Sequence, residues 1–212
     1  MSDHADVSKL TRRSLIAGGI AAAALLPANA RAAGLFDPTP EEQAASIARL
    51  KTPGHALLLR HALAPGHNDP ADLNLSNCQT QRNLDDVGRA QAVSIGNWLR
   101  AQGVTPSVVY SSQWCRCMDT ATLMGFEPVV PEIALNSIAD MPGSEASKLR
   151  KLRRFVQQVN ARPGPAIMVT HSTIATHMIG GLLGSGEGSV IRMNADGTAV
   201  STGRVLFDME RV

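Results

Sequence analysis

The chain has 212 residues, with 20 Lys and Arg against 18 Asp and Glu for a formal charge of +2, 44% apolar residues and three cysteines. That apolar fraction excludes an intrinsically disordered chain, and the length suits one domain with a sizeable core behind any targeting segment. The charge gives no basic surplus that would argue for nucleic acid.

The first 32 residues read as a cleavable export signal. Arg12-Arg13 follows Thr11, an uncharged run extends from Leu15 to Leu26, and small residues surround Ala28-Asn29-Ala30 and Ala30-Arg31-Ala32. This is the layout of a secretory signal with an A-x-A cleavage site, and the arginine pair is similar to a twin-arginine signal. The run is too short and too rich in Ala and Gly for a membrane span of about 20 predominantly apolar residues, so no stable membrane insertion is expected. Removing it takes away four cations (Lys9, Arg12, Arg13, Arg31) and two anions (Asp3, Asp6), which leaves the mature chain, residues 33–212, formally neutral. An exported, periplasmic-type location is the expectation.

Thr39-Pro40-Glu41-Glu42 opens a short helix that stops at Pro53-Gly54. "HALLLR", from His55, is a near-continuous apolar run, the pattern of a strand covered on both faces in a parallel sheet. Residues 62–83 are rich in Pro, Gly, Asn and Asp and read as one long irregular loop, and loops of that length are more often functional than decorative. A helix over "NLDDVGRAQAVSIGNWLRAQG" is expected to bury Val87, Ile95, Trp98 and Leu99 and to end at Gly103. "VTPSVVYSS" is a second strand, "QWCRCMDTATLMG" the helix that leaves it, and "EPVVPEIALNS" a third, shorter strand.

Ser144 caps the next helix, "SEASKLRKLRRFVQQVNARPG", whose basic residues Lys148, Arg150, Lys151, Arg153 and Arg154 read as a solvated face. "PAIMVTH" is a fourth apolar strand and "STIATHMIGGLLG" its helix, and the chain ends in two strands around a turn at Asn194 to Gly197. Strands alternating with helices predict an α/β three-layer sandwich with a mostly parallel central sheet flanked by helices.

Ligands of such sheets bind beyond the carboxyl ends of the strands. Those ends carry Arg60-His61, Ser111-Ser112 leading to Arg116, and Thr170-His171. An Arg or His at one strand end is more often structural than functional. Their coincidence on three ends predicts an anion site, because two guanidinium forks can hold one phosphate dianion. Backbone N–H groups at the start of the helix after His171 add to the same positive field. A histidine among cations stays neutral and is a nucleophile, which opens a covalent phosphohistidine route.

These residues resemble the motifs of the histidine phosphatase superfamily, with its phosphoglycerate mutase-like fold. Arg60-His61-Ala62 is similar to the family's Arg-His-Gly, and Leu84-Asp85 with Gly88 and Gln91-Ala92 to its helix start. Ser111-Ser112, Arg116 and Thr120-Ala121 are similar to its second-arginine motif, and Thr170-His171 to its second histidine. The resemblance runs in order from residue 55 to about residue 207. It implies that His61 carries the phosphoryl group, that Arg60, Arg116 and His171 hold the phosphate oxygens, that no metal or other cofactor is needed, and that water hydrolyses the intermediate.

Two departures stand out. Ala62 replaces the motif glycine, which is tolerable only with a negative φ. The family's Leu-x-Glu acid falls on Leu135-Asn136-Ser137, so the nearest carboxylates, Asp140 and Glu145, become candidates. Asp140 is the choice, since Glu145 falls in a helix first turn where a carboxylate is stabilising. Arg82, Asn68 and Gln81, with His67, are candidates for the rest of the substrate. His55 and His177 read as structural.

In an oxidising compartment Cys78, Cys115 and Cys117 predict one disulfide, from Cys78 to Cys115 or Cys117, and one free thiol. The expected partner is a phosphorylated small molecule or a phosphoprotein, and the oligomeric state is open. Three rivals stand beside hydrolysis: phosphoglycerate mutase-type transfer, a phosphate-binding protein without turnover, and a metal site on His61, His67 and His171.

Overall fold

Burial of the apolar strands on both faces sets the architecture. In a computed structural model that describes residues 37–138 and 143–207, strand β1 (His55–Arg60) turns Leu57 and Leu59 to one face of the sheet and Ala56 and Leu58 to the other, all fully buried. Because both faces are covered, the run reads as continuous rather than alternating.

Helix α1 (Pro40–Leu50) precedes β1 and starts with a capping box, in which Glu42 N–H donates to Thr39 and the Thr39 amide donates to the Glu42 carboxylate. This reciprocal pair satisfies two N–H groups that a helix start leaves open. Then follow α2 (Asp86–Ala101), β2 (Val108–Ser111), α3 (Cys115–Leu123), β3 (Val129–Pro131), α4 (Glu145–Asn160), β4 (Ala166–Thr170), α5 (Ser172–Ile179), β5 (Gly188–Met193) and β6 (Ala199–Val205). Short 3-10 turns lie at Cys78–Thr80 and Ile133–Leu135.

The six strands run in the order β3-β2-β4-β1-β5-β6. The first four are parallel, and β5 and β6 complete the sheet antiparallel. One core packs Ile47, Leu50, Ile95, Leu99 and Met124 of the α1–α3 side on Leu57, Leu59, Ile167 and Val169. The opposite core packs Leu152, Val156 and Val159 of α4 and Ile174 and Met178 of α5 on Leu58, Met168 and Ile191. This is the expected three-layer α/β sandwich with a mixed central sheet.

Helix α2 departs from the expected stripe. Val87 is 56% exposed, and the buried line runs through Gly88, Ala92, Ile95, Gly96 and Leu99. The small residues decide the packing: a Cβ at Gly88 would stand 1.9 Å from the Leu63 carbonyl oxygen, and one at Gly96 would stand 2.0 Å from that of Met124. Close approach of backbones, not a wide apolar face, docks this helix.

The expected export signal and Asp140 lie outside the described residues. Among the described residues no helix is long and apolar enough to cross a membrane.

Candidate active site

Parallel register brings the strand ends level. Arg60 pairs with Thr170 across β1 and β4, and Ser111 with Val169 across β2 and β4. The ladder continues one residue further, with His61 N–H donating to Thr170 and Ser112 N–H to Val169. His61, Ser112 and His171 therefore leave three neighbouring strands side by side, and a cavity of about 640 Å3 opens over His61 and His171.

His61 is buried, with Nδ1 2.7 Å from the Ala62 carbonyl oxygen. A carbonyl only accepts, so Nδ1 carries the proton and the Nε2 lone pair is left available. Burial, reinforced by Arg116, Arg60 and Arg82 and opposed by the Ala62 hydrogen bond, pushes the pKa down to about 3. The ring is neutral at physiological pH. Ala62 replaces the family glycine without strain, since no described non-glycine residue has a positive φ. Its amide donates to Thr120 Oγ1 on α3, and its methyl packs against Ala64, Leu84 and Ala92.

His171 is also buried, its ring centroid 5.6 Å from that of His61. Arg116 Nη2 lies 3.4 Å from its Nδ1, and its Nε2 lies 2.8 Å from Ser112 Oγ. With Arg116 donating to Nδ1, Nε2–H donates to Ser112, whose hydroxyl donates on to Asn136 Oδ1 at 3.2 Å. Burial, then Arg116, lowers the His171 pKa well below the ordinary histidine value.

Three guanidinium groups line this cavity. Arg60 is half-buried and donates from Nη1 to the Leu183 carbonyl at 2.9 Å. Arg82 donates to the Ala64 carbonyl, and Arg116, which is buried, stands near the start of α3. Burial and then the charge of Arg116 lower the pKa of both Arg60 and Arg82, the mark of like charges held together. The Nε atoms of Arg60, Arg82 and Arg116 are all buried without a hydrogen-bond partner. A concentrated positive field suits an anion with several acceptor oxygens. Ser172 and Thr173 bring the first turn of α5 to the same cavity.

Of the expected substrate contacts, Arg82 and Asn68 line the cavity and Gln81 does not. Gln81 is buried beneath the loop, with Nε2 donating to the Asn74 carbonyl and Oε1 accepting from the Cys115 amide. A buried amide must satisfy both ends, and here the loop backbone and α3 supply both partners. Glu145 sits in the first turn of α4, largely exposed, 3.3 Å from His177 Nε2. His55 lies at the opposite end of β1 beside Thr52. Among the described residues no group of three or more His, Cys, Asp or Glu side chains could hold a metal ion, so His61, His67 and His171 do not form a metal set.

Sequence reasoning missed Asp69. It lines the cavity, and its Oδ1 accepts from Arg116 Nη1 at 2.8 Å and from the Arg82 amide at 2.9 Å. Three arginines around one cavity were the signal that a compensating carboxylate was due. Ser137 stands where the family motif has its glutamate and also lines the cavity, which makes Asp69 the one carboxylate lining it among the described residues.

The disulfide joins Cys78 to Cys115 and so ties the loop to the residue before Arg116. Cys117 is free and fully buried, 3.6 Å from His171 Nε2, and burial pushes its thiol up to about 12. It is a protonated packing residue.

Fold and strand-end chemistry together define an α/β protein of the phosphoglycerate mutase-like fold. A sequence model of the histidine phosphatase superfamily, branch 1, matches residues 56–141, which span Arg60, His61 and Arg116. Over that stretch, less than half of the chain, the sequence is similar to the histidine phosphatase superfamily.

Solved structures with the same fold include the protein histidine phosphatase SixA complexed with tungstate, at 14% identity and TM-score 0.51, covering 71% of this chain and 96% of that one. A candidate alpha-ribazole-5'-P phosphatase from Escherichia coli K-12 shares 17% identity at TM-score 0.54, covering 74% and 98%. Phosphoserine phosphatase from Entamoeba histolytica, solved with 3-phosphoglyceric acid, shares 13% at TM-score 0.51, covering 73% and 98%. No curated protein sequence matches the chain.

Proposed function

We propose that the protein is a metal-independent phosphatase that hydrolyses a phosphate monoester or phosphoramidate through a phosphohistidine on His61. The observation that carries this reading is the tautomer of His61: Nδ1–H is fixed on the Ala62 carbonyl, and burial among three arginines keeps Nε2 unprotonated in the cavity.

Nε2 attacks phosphorus in line. The bond from phosphorus to the leaving oxygen or nitrogen breaks, and the leaving group departs with its electron pair and takes up a proton. Arg60 and Arg116 hold the transferring phosphoryl oxygens, with His171 bracing Arg116 through Nδ1; these oxygens are the atoms where positioning and charge stabilisation act in phosphoryl transfer. Water then attacks the phosphohistidine, and inorganic phosphate and neutral His61 are regenerated. Arg82 and Asn68 bind the rest of the substrate, and Asp140 supplies the proton to poor leaving groups. The neighbours named for phosphoserine and protein histidine phosphatases support a phosphorylated small molecule or phosphoprotein as substrate. The N-terminal sequence supports an exported location.

A second reading, a phosphate-binding protein without turnover, draws on Ser137 at the position of the family's glutamate. Turnover of p-nitrophenyl phosphate by the mature chain separates the two. Chelator-resistant hydrolysis that His61→Ala abolishes supports the phosphatase. Phosphate binding without hydrolysis supports the second reading. Activity lost to chelator contradicts the metal-independent route.

A further inference from the structure

The carboxylate of Asp69 is an unexpected guest in an anion site. An acidic side chain repels phosphate, yet this one is built in: its side chain is 15% exposed, its partner Arg116 is 5% exposed, and their ion pair closes at 2.8 Å. Burial alone raises the Asp69 pKa, but the hydrogen bonds from Arg116 and from the Arg82 amide outweigh it, and the group stays ionised.

The pair has a geometric consequence for Arg116. Nη1 is held by Asp69 Oδ1 and, at 3.3 Å, by the Arg82 carbonyl, while Nη2 reaches His171 Nδ1 at 3.4 Å. Both prongs of the fork are therefore fixed before any anion arrives, and a planar guanidinium held at two points loses its rotational freedom. The pair also has an electrostatic consequence. Among the described lining residues, Arg60, Arg82 and Arg116 bring three positive charges to a cavity whose buried histidines are neutral, and Asp69 reduces the excess to two.

We propose that Asp69 is a positioning residue of this site: its carboxylate aims the Arg116 fork and trims the arginine cluster to the charge of a phosphate dianion. The inference rests on the phosphatase reading of the cavity. A cluster carrying one more positive charge would hold the product more tightly than turnover allows, and a fork without its anchor would lose its aim.

Two substitutions separate charge from anchoring, measured as inorganic phosphate affinity by titration calorimetry and as turnover of p-nitrophenyl phosphate. Asp69→Asn keeps an oxygen acceptor for both donors and removes the charge; it is expected to bind phosphate roughly tenfold more tightly than wild type while kcat falls. Asp69→Ala removes the anchor as well and is expected to lower kcat/KM by about a hundredfold, on the scale of misplaced catalytic geometry.

Tighter phosphate binding by Asp69→Asn with slower turnover supports the proposal, because a residue that only braced the loop would not sharpen affinity. Unchanged or weaker phosphate binding by Asp69→Asn, with or without a lower melting temperature, overturns it. A wild-type protein that binds phosphate without turnover ends the phosphohistidine reading alone, and the calorimetric arm still decides on Asp69. A wild-type protein that turns over p-nitrophenyl phosphate but binds no phosphate overturns the Asp69 proposal alone, and one that does neither overturns both.

Discussion

Thr120 Oγ1 accepts the amide of Ala62 at 3.0 Å and donates to the carbonyl of Arg116 at 2.7 Å. One buried hydroxyl thus ties the residue after His61 to the helix turn that carries Arg116, so the proposed nucleophile and its proposed clamp share one anchor. Thr120→Val keeps the shape and leaves the buried Ala62 N–H unpaired. A loss of about 1–3 kcal/mol is expected from urea unfolding, together with a fall in kcat larger than any change in KM.

The two buried histidines make stability fall in acid. Their pKa values are depressed in the folded protein, that of His61 from 6.5 to about 3, so below 6.5 the unfolded chain binds protons that the native state refuses. Their contribution is fully present above the unfolded value and is lost as pH falls below it, for His61 down to about 3. The urea midpoint is expected to drop steadily across that window. His61→Gln, which cannot titrate, is expected to flatten the slope; a midpoint independent of pH would contradict the buried neutral rings.

Reduction of the Cys78–Cys115 bond is expected to reach the site as well as the fold. It closes a loop with a sequence separation of 37, for which cross-linking contributes about 2–4 kcal/mol. Within that loop lies Arg82, beside the Asp69 that orients Arg116. Dithiothreitol, or the Cys78→Ser/Cys115→Ser double variant, is expected to lower the melting temperature and to raise KM. A reduced protein with unchanged KM would show that the loop holds its shape without the bond.

Gly88 and Gly96 test the docking of α2. A methyl group at either meets a carbonyl oxygen at about two thirds of the shortest distance that real contacts show. Gly96→Ala, remote from the cavity and against the Met124 backbone, is expected to cost about 1–3 kcal/mol with activity per folded molecule unchanged. Gly88→Ala presses instead on Leu63, two residues beyond His61, and is expected to lower kcat as well. Melting curves beside active-site titration distinguish the two.

Much of this was legible in the sequence because the site stands on strand ends. Apolar runs locate β1, β2 and β4, and their carboxyl ends name Arg60, His61, Ser112 and His171 without any knowledge of side-chain contacts. The long loop was harder. Its residues have no periodicity to say which face they turn, so Arg82 and Asn68, which line the cavity, could not be told from Gln81, which folds under the loop to satisfy its own amide. Asp69 was passed over for the same reason; its ion-pair partner, Arg116, comes from α3, 47 residues away in sequence. Val87 misled because a helix docked through glycines needs no large apolar residue at its first turn.

Covalent capture on His61 tests the mechanism most directly. The protein, mixed with excess phosphorylated substrate and quenched in alkali within the first turnovers, is digested and the peptide carrying Arg60 and His61 is weighed. The expected result is one added phosphoryl group on His61, stable in alkali, lost in acid, and absent from His61→Ala. Turnover with no phosphorylated His61 peptide at any quench time, or a phosphoryl group on another residue, would contradict the phosphohistidine route.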